Sequence, residues 1–79
     1  MKVRINIIFK PSVLDPQGQA VANSLFGQGF NNIKNVRQGK ILDIEFHSQE
    51  VDINMINEMC EAFLTNPLVE DYAIEEINT

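Results

Sequence analysis

The 79 residues carry 11 acids against 6 bases and one histidine, for a net charge of −5 and a pI near 4.6. A chain of that length makes one domain, spanning 1–79, with no room for a second or for a linker. Its acidity sets it against phosphate backbones, so nucleic acid is not an expected partner. Cys60 is the only cysteine, which excludes an internal disulfide, a CxxC pair and a Cys-rich zinc site and fits a reducing compartment. The first residues alternate where a signal peptide would be basic and then apolar, and no apolar run is long enough to span a membrane. The expected location is therefore the cytoplasm. A domain this small buries only about 60% of the surface its unfolded chain exposes, so self-association is the expected extra support.

In chain order, Val3, Ile5, Ile7 and Phe9 alternate with Lys2, Arg4, Asn6 and Lys10, the period of a strand with one buried face. Pro11 and Ser12 end it. Asp15 is suited to cap a helix, with Pro16 at the first helical position, where no amide hydrogen is needed. Gly18 falls inside that first turn and costs about 1 kcal/mol relative to Ala, so either the turn starts late or something packs against its backbone. The helix runs to about Gln28, with Val21 and Leu25 expected to lie on the sheet. Gly29 takes the left-handed position after it, and Phe30 returns toward Leu25 as in a Schellman ending.

From Ile33 to His47 the chain reads as extended, interrupted at Arg37-Gln38-Gly39-Lys40, where a hairpin is the first expectation. A single long strand reaching a neighbouring subunit is the other. Leu42, Ile44 and Phe46 alternate with Asp43, Glu45 and His47. Ile53, Ile56, Cys60, Phe63 and Leu64 then recur at helical steps, predicting a second helix to about Thr65, with Met55 and Met59 on a neighbouring side. Pro67 stops that helix and makes Asn66-Pro67 an extended corner feeding a last strand, about Val69 to Ile77, with Tyr72 and Ile74 facing inward.

Strand, helix, strand, strand, helix, strand predicts an α+β, ferredoxin-like βαββαβ fold, a four-stranded antiparallel sheet with both helices on one face. The open face would set Lys2, Arg4 and Lys10 against Asp43, Glu45, Asp71 and Glu75, and it also carries Ile8, Ile41 and Ala73, which a second subunit can cover. No phosphate loop, nucleophile with its base, HExxH motif or paired carboxylates on one helical face is present, so no residue stands out as catalytic, cofactor-binding or metal-binding.

Three stretches are specific in combination: Lys10-Pro11-Ser12-Val13-Leu14-Asp15-Pro16-Gln17-Gly18, then Val36-Arg37-Gln38-Gly39-Lys40, then Met59-Cys60 leading to Leu64-Thr65-Asn66-Pro67-Leu68-Val69-Glu70-Asp71-Tyr72. In this order and spacing they resemble the PurS family, the small subunits of phosphoribosylformylglycinamidine synthase, from Val3 to Ile77. The resemblance implies a subunit of a ligase complex of de novo purine biosynthesis that carries no catalytic residues itself. It would bridge a synthetase subunit, where ATP and magnesium are expected, and a glutaminase subunit that supplies ammonia, and would form a homo-oligomer, dimer or tetramer. The competing expectation is a stand-alone dimeric regulatory domain of the same fold that binds a small metabolite. Loops on a rigid scaffold carry recognition. The candidate partner surface is therefore Asp15, Pro16, Gln17 and Gly18, with Arg37, Gly39 and Lys40, and with Asn66, Pro67 and Asp71.

Overall fold

Alternation in the first apolar run places Val3, Ile5 and Ile7 on one side of a strand, and in the computed structural model, which describes residues 1–77, all three are buried in the core. That strand, β1 (Lys2–Phe9), is the middle of a three-stranded antiparallel sheet. Its neighbours are β2 (Gly39–Glu45) and β3 (Glu70–Ile77). Ile5 pairs with Leu42 on one side and Ile74 on the other, so inward-facing residues line up across all three strands. The helix α2 (Ile53–Met59) lays Ile56 on that face, and Cys60 follows it into the core. Asp52 caps α2 by accepting from the Asn54 amide at 2.9 Å.

After Met59 the helix widens into a π turn, Cys60–Leu64, closed by Thr65, whose amide and hydroxyl both donate to the Cys60 carbonyl at 2.9 and 2.8 Å. Pi turns insert one residue into the helical count and shift the faces beyond them. Phe63, expected inside, is therefore turned out and is 90% exposed. Burial would have been worth about 1.5–3 kcal/mol. Ile53 is exposed as well, whereas Leu64 packs against the core.

Two features depart from the expected ferredoxin-like plan. Among the described residues there is no fourth strand: residues 31–38 form no ladder, and the Arg37-to-Lys40 hairpin is not made. Neither does one long strand run from Ile33, since pairing begins at Gly39. The cause is local, because the Gln38 amide donates to Asp15 and the Arg37 guanidinium to three carbonyls, which hold this segment beside the start of the first helix. That helix, α1 (Pro16–Gly27), is also not laid on the sheet, and the core cluster contains none of its residues. It stands off as an arm with residues 30–38 returning along it, which gives the molecule extents of 49 × 30 × 14 Å. Ala22 and Gly18 are its buried residues, and Val21 is exposed. The helix ending is as expected: Phe30 N donates to Leu25 O and Gly29 N to Phe26 O, with Gly29 at a φ of 96°.

Candidate functional site

The candidate residues, scattered along the sequence, converge on one end of the sheet, where β1 finishes and β2 and β3 begin. Asp15 organises the knot there. It is 3% exposed, and its carboxylate accepts from the Gly18 amide at 2.9 Å through Oδ1 and from the Gln38 amide at 2.6 Å through Oδ2. One carboxylate thus caps α1 and fastens the returning segment to it. Arg37 lies beside it, donating to the carbonyls of Val13 at 3.0 Å, Phe9 at 3.2 Å and Lys10 at 2.9 Å. A fork of fixed donors suits a group of converging carbonyls, which a lysine cannot match. Arg37 therefore has a folding role that its sequence context did not reveal.

Gly18 is explained by the same knot. A Cβ there would press into the Val36 carbonyl oxygen and come within 2.6 Å of Asp15 Oδ2, so the returning segment can approach α1 only over a glycine. Gly39 makes no positive-φ turn; its α-carbon faces the Ile7 carbonyl across the ladder, leaving no space for a side chain. Gln17 accepts through Oε1 from Gln38 Nε2 at 2.9 Å on the exposed rim, and Pro16 occupies the first helical position.

The Asn66-Pro67 corner joins this end through the backbone, Lys10 N donating to Val69 O at 2.8 Å. Asn66 folds the corner on itself: its Oδ1 accepts from the Leu68 amide at 3.2 Å and its carbonyl from the amides of Val69 and Glu70. Asp71 pairs with Lys10 at 2.8 Å, and Lys40 Nζ lies 3.9 Å from Glu70. On the open face Arg4 meets Asp43 through two nitrogens, at 2.8 and 3.2 Å, and this holds the Asp43 carboxyl below its ordinary range. Of the cross-strand charge pairing expected there, Arg4–Asp43 and Lys10–Asp71 form, whereas among the described residues Lys2 and Glu45 make no ion pair and Glu75 accepts from Asn6 instead. Ile8, Ile41 and Ala73 line a shallow apolar depression beside it.

Electrostatics at the knot follow from these bonds. The Gly18 amide first, then the Gln38 amide, hold the Asp15 carboxyl below its ordinary value of 3.8; burial opposes them and the Arg37 charge assists. A depressed folded pKa contributes stability that is fully present above the unfolded value and is lost as pH falls through the folded one. Thermal unfolding of the parent is therefore expected to fall more steeply below pH 4 than that of Asp15→Asn, which has no such proton to take up. Equal pH slopes for the two proteins between pH 4 and 2 would contradict the role given to Asp15.

Gln38 was not legible as a site residue, since its tie to Asp15 runs through a backbone amide that leaves no trace in residue type, and neither was the exposure of Phe63 and Leu68. Among the described residues no group of three His, Cys, Asp or Glu side chains gathers to hold a metal, and no helix is long and apolar enough to cross a membrane. The arrangement is that of a braced set of turns presented at a sheet end.

Comparison with known proteins agrees with this description. Residues 2–78 match the family model described as PurS, phosphoribosylformylglycinamidine (FGAM) synthase. The PurS subunit of phosphoribosylformylglycinamidine synthase from Bacillus subtilis is 39% identical over 75 residues, covering 94% of this chain and 89% of that protein. Its counterpart from Methanocaldococcus jannaschii is 37% identical over 76 residues, covering 94% and 92%. The solved structure of B. subtilis PurS superposes with a TM-score of 0.84, covering 94% of each chain. A chain in the structure of PurLQS from Thermotoga maritima superposes at 0.76, with 29% identity and 96% and 95% coverage.

Proposed function

The chain belongs to the PurS family, subunits of phosphoribosylformylglycinamidine synthase in purine biosynthesis, and from that membership we propose that it is the non-catalytic small subunit bridging the synthetase and the glutaminase. In this role it supports the passage of ammonia from one to the other, with ATP and magnesium held by the synthetase. The observation that carries the reading is the convergence of the Asp15-to-Gly18, Arg37-to-Lys40 and Asn66-Pro67 turns on one braced end of the sheet. Their ties to the main chain fix the surface they present, which keeps the ordering cost of docking low. A neighbour of this chain is a PurLQS complex, which fits assembly of that kind.

Self-association belongs to the same proposal. The apolar depression of Ile8, Ile41 and Ala73 lies on the uncovered sheet face, and α1 offers Val21 and Phe26 to solvent. A homo-oligomer, dimer or tetramer, would cover such surface. Purification of the tagged chain after co-expression with the other two subunits is expected to retain both, and the chain alone is expected to sediment as a dimer or larger at micromolar concentration. Recovery of the tagged chain alone would overturn the bridging role, and sedimentation only as a 9.0 kDa species would overturn self-association.

A further inference from the structure

The molecule divides into two parts that share few ties. The sheet, α2 and the π turn hold the core cluster, whereas α1 and residues 30–38 fold on each other: Gly18 lies under the Val36 carbonyl, and Asp15 fastens the Gly18 amide to that of Gln38. Among the described residues no hydrogen bond runs from α1 to a strand. The chain crosses between the parts twice, through residues 10–14, a turn closed by Val13 N on Lys10 O at 2.9 Å, and at the Gln38-Gly39 step.

Their junction is open where a protein interior would be close-packed. A cleft of about 190 Å3 has Gln17 and Gln38 on the side of the arm and Ile8, Phe9 and Glu70 on the side of the sheet, and another of about 380 Å3 runs along Pro11, Leu14 and Asn35. One side chain ties the arm across this junction. Arg37 donates to the carbonyls of Phe9, the last residue of β1, and of Lys10 next to it, while its third bond, to Val13, stays within the crossing.

We propose that α1 and residues 30–38 open as one unit about residues 10–14 and Gly39, with the Arg37 guanidinium as the latch, while the sheet and α2 stay folded. Units that share few buried apolar contacts with the rest of a protein are the ones that open below the global unfolding free energy. Opening carries the Asp15-to-Gly18 turn away from Lys40 and the Asn66-Pro67 corner, so the surface assigned to docking is complete only in the latched state. Here the inference rests on the bridging role. A partner that grips both sides of the cleft binds the latched state better and shifts the population toward it.

Amide hydrogen exchange of the full chain in low urea tests this on the parent, on Arg37→Lys, which keeps the charge but loses the fork, and on Ile56→Val, a mild truncation in the core. The α1 amides of the parent are expected to exchange about tenfold or more faster than those of Ile5 and Ile7, with a shallower urea dependence because less surface opens. Arg37→Lys is expected to speed the α1 amides about tenfold, and Ile56→Val to speed those of β1 alone. One rate and one urea slope for α1 and β1 would overturn the separate opening, and unchanged α1 exchange in Arg37→Lys would overturn the latch. Protection of α1 that rises with protein concentration would overturn it in favour of a second copy holding the arm. With the synthetase and glutaminase subunits bound, α1 exchange is expected to slow. Unchanged exchange in a complex that forms overturns the coupling to docking, whereas a complex that does not form overturns the bridging role and leaves the opening as measured on the chain alone.

Discussion

Ile56→Ala is expected to destabilise the protein by about 3–5 kcal/mol, the cost of emptying a core position that cannot collapse around a smaller side chain. Ile56 has no exposed surface and meets Val3, Ile5, Ile7 and Cys60, which are themselves buried. With α1 held off as an arm, α2 and its π turn form the whole helix layer on the sheet, so no second helix can shift to fill the void. A domain of this size has roughly 4–12 kcal/mol in total at typical per-residue values, and the variant should lose a large share of it. Urea unfolding checks this through a lower midpoint with little change in slope. Val21→Ala on the exposed side of the arm should move the same midpoint by less than about 0.5 kcal/mol.

Arg37→Ala is the second large effect, expected to cost about 2–3 kcal/mol, because it leaves the carbonyls of Phe9, Lys10 and Val13 without their charged donor. The segment from Phe30 to Gln38 should then detach from α1, with faster amide exchange at Gly18 and Gln38, the two amides held by Asp15. Gln17→Ala removes only an exposed contact with Gln38 and should stay within about 0.5 kcal/mol of the parent. Both residues belong to the candidate partner surface, and thermal melts of the two variants separate the brace from the exposed contact. Gln17 is the one whose truncation reads partner contact without disturbing the fold. Equal stability of both variants would contradict the bracing role of Arg37.

Local signals carried most of the elements. Alternation at Val3, Ile5 and Ile7, the Asp15-Pro16 start, the Gly29-Phe30 ending and the Pro67 corner each depend on residues adjacent in sequence, and each is found where those residues place it. What was not legible depends on partners far along the chain. The segment from Ile33 has the composition of a strand, but one buried carboxylate and one guanidinium, 23 and up to 28 residues away from their partners, hold it against α1. Apolar periodicity at Val21 and Leu25 says that a helix has an apolar side, not which surface covers it. Likewise the step from Cys60 to Phe63 reads as α-helical, and only the bonds from Thr65 to the Cys60 carbonyl reveal the wider turn. The candidate surface was legible as separate turns through the family resemblance; their meeting at one sheet end required the fold.

The central claim is that this chain couples a glutaminase to a synthetase without doing chemistry itself. Formation of formylglycinamidine ribonucleotide by those two subunits, measured with glutamine and separately with ammonium as nitrogen donor, with and without this chain, tests it most directly. The account predicts that omitting the chain abolishes the glutamine-dependent reaction and spares the ammonium-dependent one. Undiminished glutamine-dependent synthesis in its absence would contradict it.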